Sequence, residues 1–141
     1  MYKFIVFNKI NITKVLIFFP LILQTNLCFS DWVNIAKNEE KIFFIDSTTI
    51  IPHMGSRRMA KELHEFREPG VDGITSLRIK SEFDCNEKKT RFLAQDKIIG
   101  EMGVGKIVSL NSNSTPWNDV KTDPARLKIL NFVCSFEDVK H

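Results

Sequence analysis

Along residues 74–85, ITSLRIKSEFDC, apolar or small positions alternate with polar ones. Thr75, Leu77, Ile79, Ser81, Phe83 and Cys85 fall on one face, and Ser76, Arg78, Lys80, Glu82 and Asp84 on the other. A period of two predicts a strand with one buried and one wet face, as in an antiparallel sheet. Cys85 lies on the buried face. Asn86 and Glu87 supply a turn, and KKTRFLAQ at 88–95 returns as the hairpin partner. Further strands are predicted at 31–36 (DWVNIA), 41–46 (KIFFID) and 106–110 (KIVSL), with a loop-rich stretch at 111–119 (NSNSTPWND).

Residues 59–66, MAKELHEF, fit two periods. Their residue types favour helix, and Met59, Leu63 and Phe66 form a helical stripe. As a strand, Ala60, His64 and Phe66 share a face on which Glu62 is an awkward fourth member. Local propensity alone predicts helix. The last element is better marked: Asp123 and Pro124 read as N-cap and first helical position. Leu127, Leu130, Asn131 and Cys134 then follow at i, i+3, i+4 and i+7, which turns Cys134 toward the sheet.

Charge and composition change the picture at the N-terminus. Lys3, Lys9 and Lys14 precede VLIFFPLIL at 15–23, and a smaller, more polar exit follows. That order predicts a secretory signal peptide over 1–30. The apolar run is shorter than the roughly 20 residues a membrane-spanning helix needs. Cys28 and Ser30 occupy the −3 and −1 positions for cleavage between Ser30 and Asp31. Cys28 as a lipid anchor is the alternative, but Asn26 and Leu27 before it are poor lead-in residues. Removing the three leader lysines from 20 basic residues leaves the rest balanced against 17 acidic ones. The apparent basicity therefore belongs to the leader and is no nucleic-acid footprint. An even pair of cysteines in an exported chain reads as a disulfide, here Cys85 with Cys134. The expected mature unit, 31–141, is one α+β domain: a single antiparallel sheet with a C-terminal helix packed on one face and tied by that disulfide.

Several stretches tempt a chemical reading. GEMGVGK at 100–106 has the spacing of a phosphate-binding loop, but Ile107 stands where a hydroxyl is needed and a strand follows instead of a helix. A glycine-rich hairpin turn explains it. His53, His64 and His141 lack convergent ligands apart from Glu62 and Glu65 beside His64, so no metal site is expected. No serine sits in a nucleophile setting. Glu82 and Asp84, alternating with Arg78 and Lys80, read as a solvated charge ladder. No catalytic residue and no cofactor is expected. Asn113-Ser114-Thr115 fits a glycosylation acceptor that an exported bacterial protein does not ordinarily use. Trp32 and Trp117 are expected to fill the small core; exposed, either would be a contact residue. Lys88, Lys89 and Arg91 are weak candidates for holding an acidic partner or sulfated polysaccharide.

An ordered set of residues is more telling than any of these. Asp31-Trp32, FFIDSTTI at 43–50, SEFDC at 81–85, MGVGKIV at 102–108, Trp117, DPARLKIL at 123–130 and Val133-Cys134 together resemble the surface-adhesin protein E family of Gram-negative bacteria. The resemblance implies an antiparallel sheet with a disulfide-tied C-terminal helix, and it favours strand for 59–66. Family members often carry an aromatic in that strand where Lys61 falls here. The activity it implies is attachment to host matrix and serum proteins.

The sequence thus predicts an exported, non-catalytic, adhesin-like domain that contacts host or cell-envelope proteins, in the periplasm or on the outer-membrane surface. The alternative is a periplasmic housekeeping or inhibitor protein without an adhesive role. No nucleic-acid partner is expected. A sheet edge or a shared face can also pair two copies into a homodimer, since exposed edges invite pairing.

Overall fold

Six strands follow one another as an antiparallel meander in the computed structural model, which describes residues 30–137. They are β1 (Trp32–Lys37), β2 (Lys41–His53), β3 (Arg57–Phe66), β4 (Ser76–Asp84), β5 (Lys89–Ile99) and β6 (Lys106–Asn111). A seventh, β7 (Asn118–Asp119), pairs with Lys89 and Thr90 on β5, whereas β6 pairs with residues 95–99 of β5. The one α-helix among the described residues, α1 (Pro124–Ser135), packs on one face of the sheet. The Asp123 side chain caps it, accepting hydrogen bonds from the Ala125 and Arg126 amides at 3.0 and 3.1 Å.

Residues 59–66 are strand, against the local propensity for helix. β3 sits between β2 and β4 and is hydrogen-bonded to both. Two full ladders outweigh helix preferences of a few tenths of a kcal/mol per residue. The register puts Ala60, Glu62 and His64 on the face beneath α1, beside Phe43 and Ile45 of β2 and Phe83 of β4.

Glu62 is fully buried there. Its carboxylate accepts two hydrogen bonds from Arg126, at 2.5 and 3.1 Å, and one from His64 Nε2 at 2.8 Å. Arg126 also donates to Thr90 Oγ1 at 3.2 Å and lies over the Phe92 ring. Burial alone would raise the Glu62 carboxyl, but the Arg126 guanidinium, and then His64, hold it well below the ordinary carboxylate range. His64 Nε2 is therefore the donor in its contact with Glu62.

This pair also corrects the expected helix face. The buried stripe is Ile129, Leu130 and Val133, with Arg126 leading it at i, i+3, i+4 and i+7; Asn131 is exposed, and Leu127 and Cys134 are only half-buried. Cys134 still reaches the sheet and is joined to Cys85 in a disulfide spanning 49 residues. In the chain-entropy account such a loop contributes roughly 4 kcal/mol, comparable to the whole stability of a small domain.

The second correction concerns the face expected to be wet. Ser76 and Glu82 are fully buried and Asp84 nearly so. Arg57, Arg91 and Trp117 cover Glu82, so this end of the outer face is roofed by side chains.

Two outcomes follow from the Glu62–Arg126 pair. Arg126→Met leaves a buried carboxylate without its cation and is expected to cost about 3–5 kcal/mol in urea unfolding. Most of that loss is recovered in the Glu62→Met/Arg126→Met double variant. The pair also fixes an acid limb. Unfolded, Glu62 takes up a proton below its ordinary 4.5, while the folded group stays ionised. Its stabilisation is complete above that value and lost as pH falls toward the depressed folded one. Between about pH 5 and pH 3 the wild-type urea midpoint is expected to fall more steeply than that of the double variant.

Candidate binding site

The strand register lines up one row of side chains across five strands. Trp32 faces Asp46, Asp46 faces Lys61, Lys61 faces Lys80, and Lys80 faces Ala94. The row lies on the sheet face turned away from α1. Lys61 and Lys80 are both exposed. Among the described residues neither ammonium forms an ion pair or a side-chain hydrogen bond, although Lys61 lies close enough to Asp46 to favour its ionised form. For Asp46, burial works upward, but hydrogen bonds from the Ser30 and Thr48 hydroxyls and from the Thr48 amide, with Lys61 adding its charge, bring the carboxyl below its usual value; in a chain that begins at Asp31 the Ser30 contribution is lost and those of Thr48 and Lys61 remain.

Hollows flank the two lysines on both sides. One, of about 360 Å³, is walled by Trp32, Arg78, Met102 and Val104. The other, of about 300 Å³, is walled by Thr49, Ile51 and Met59. Lys61 and Lys80 line both, as a ridge between them.

Each end of this face is closed differently. At one end the chain after β5 makes a tight turn, Gly100–Gly105, that folds back over the sheet. Gly103, at φ +70°, sits so close that an added Cβ would lie 3.0 Å from Arg78 Cγ and 3.1 Å from Leu63 Cδ1, so glycine suits both the backbone and the space. The Met102 amide donates to Glu65, and the Gly100 carbonyl accepts from the Thr75 and Ser76 hydroxyls. GEMGVGK is thus a turn between two strands, as the sequence implied. At the other end the segment before β7 is fixed by Thr115, whose amide and hydroxyl bond the carbonyl and amide of Phe92. It lays Trp117 over the Arg57 and Arg91 guanidinium groups, 5.0 and 4.7 Å from the ring centre.

Beneath Trp117, Arg91 donates to Glu82 at 2.7 Å and Arg57 to Asp84 at 3.2 Å, while His53 lies 3.4 Å from Glu82. Arg91 is therefore engaged with the sheet. Lys88 occupies the turn at φ 56°, and Lys89 lies 3.7 Å from Glu87. His64 is a paired interior histidine. Trp32 and Trp117 are half-buried instead of filling the core. Among the described residues no three His, Cys, Asp or Glu side chains converge as metal ligands. Asp31 is held to the sheet by Ser47, whose amide donates to the Asp31 carbonyl at 3.1 Å. Cys28, the leader and His141 lie outside the described residues.

The family model of surface-adhesin protein E matches residues 32–135, nearly the whole described fold. The chain belongs to the surface-adhesin protein E family. Two crystal structures of Haemophilus influenzae protein E are similar to it, each with a TM-score of 0.58. Crystal form II is 14% identical and covers 75% of this chain and 88% of its own. The selenomethionine form is 15% identical and covers 75% and 87%. At that identity the likeness concerns the fold. No curated protein sequence matches the chain. The adhesin E fold thus accounts for the antiparallel sheet and its C-terminal helix.

Lys61 and Lys80 were not among the residues the sequence pattern singled out for binding. Like charges directly opposite on neighbouring strands are destabilising, and here two lysines hold directly opposed positions. Lys80→Gln is therefore expected to stabilise the fold by about 0.2–1 kcal/mol in urea unfolding, where most exposed strand substitutions are neutral or costly.

Proposed function

We propose that the protein is an exported, non-catalytic binding domain that contacts host or cell-envelope proteins in the manner of an adhesin. Membership of the adhesin E family over residues 32–135 carries this reading. An open sheet face with an exposed cationic ridge supports it. Export rests on the leader pattern over 1–30, with cleavage between Ser30 and Asp31. The intact mass of protein from the native envelope tests that cleavage: a chain beginning at Asp31 is expected, and one retaining lipidated Cys28 would replace it with an anchored form.

A homodimer through β6 is part of the proposal. β6 is exposed along its whole length, and Ile107, Val108 and Leu110 are 44%, 41% and 70% exposed. An apolar edge of this kind offers unpaired backbone groups to a second copy.

The deciding experiment compares a deletion strain with its parent on immobilised host matrix and serum proteins. Reduced attachment, restored by the gene, is expected. Unchanged attachment together with sensitivity to envelope stress would favour a periplasmic housekeeping role. For the edge, sedimentation of the purified domain is expected to give twice the chain mass, and Ile107→Lys/Leu110→Lys to give a monomer with unaltered circular dichroism. A monomeric parent would remove the dimer from the proposal.

A further inference from the structure

We infer that the Lys61–Lys80 ridge recognises a carboxylate in an extended polypeptide segment, with apolar side chains of that segment entering the hollows on either side. The inference rests on the proposed binding of protein partners and gives that binding a place and a chemistry.

Three observations carry it. The neighbouring arginines on this face are already neutralised: Arg57 by Asp84, Arg78 by Asp96 and Arg91 by Glu82. Lys61 and Lys80 instead face each other, exposed and without an ion-pair partner among the described residues. An anion between them would relieve their mutual repulsion and gain two charge-assisted hydrogen bonds. Next, the hollows that meet at this ridge are walled by Trp32, Met102 and Val104 on one side and by Ile51 and Met59 on the other. Such walls reward apolar side chains that a purely anionic ligand lacks.

The third observation is how confined the positive charge is. Asp46 and Asp96 line or adjoin the same face. A sulfated polysaccharide is held by a long array of cations, which these carboxylates interrupt. A peptide needs only one carboxylate at the ridge. In an extended segment alternate residues point the same way. The recognised pattern is therefore an acidic residue with apolar residues two positions before and after it.

The test uses the purified domain from Asp31 to His141 and a phage-displayed library of random peptides. Peptides carrying Asp or Glu with Leu, Phe or Trp at the second position on each side are expected to be enriched. The best of them, synthesised, is titrated into isotope-labelled protein. It is expected to shift the amide signals of residues 59–61 and 78–80. Lys61→Gln/Lys80→Gln is expected to bind it roughly ten-fold more weakly, as is the parent toward a peptide with Gln in place of its acid. Enrichment without an acidic position, shifts confined to other elements, or unchanged affinity in the double variant would overturn the inference. So would a heparin fragment that binds the ridge more tightly than the peptide. The Gln variants remove a repulsion, so a folding failure does not confuse the result. The measurement uses purified components, so a failed adhesion assay on cells leaves it independently readable.

Discussion

The Glu62–Arg126 pair fixes how the helix sits on the sheet. A fully buried carboxylate in the middle of a six-stranded meander is costly unless a cation reaches it. The nearest supplier is the first turn of α1, and its reach sets the helix rotation. Once Arg126 points into the sheet, Ile129, Leu130 and Val133 must follow it into the core. Cys134, one residue on, is then left at the margin, where Cys85 emerges from the end of β4. The ion pair and the disulfide thus act at opposite ends of one short helix. The first sets orientation, and the second ties the far end to the sheet. A buried pair of this sort adds little net stability over an apolar replacement. Its geometry matches the rotation that also buries Ile129, Leu130 and Val133.

With α1 committed to one face, the other must be managed by side chains and turns. Glu82 and Asp84 are drawn under Arg57, Arg91 and Trp117 at one end, and the glycine turn closes over Leu63 and Arg78 at the other. Between them, among the described residues, Lys61 and Lys80 stand exposed in the middle of the row that runs from Trp32 to Ala94. The open region is therefore a consequence of where the two closures stop.

The alternation at 74–85, the capped helix after Asp123 and the pairing of Cys85 with Cys134 were all legible in the sequence, because each is written in a local pattern or in parity. What escaped it was long-range. Glu82 looks like any exposed strand glutamate until Arg91 arrives from the next strand and Trp117 from the far side of β6. The 124–135 segment carries two apolar stripes one residue apart, and only a partner 64 residues away selects between them. Residues 59–66 were ambiguous for the same reason. Their helix propensity is a local quantity, while the two ladders that overrule it belong to β2 and β4. Glu62 is an awkward strand residue only without Arg126. Lys61 and Lys80 gave no local signal, since two lysines in separate strands become a pair only through register.

That register gives the open face its meaning. A strand pair can avoid facing lysines by a single substitution, since glutamate at either position would make a cross-strand ion pair instead. The surrounding sheet uses that solution repeatedly, at Arg57 with Asp84, Arg78 with Asp96 and Arg91 with Glu82. The unsolved pair lies between two apolar hollows. A repulsion retained where its relief was locally simple is what a site looks like when its missing counter-charge belongs to another molecule.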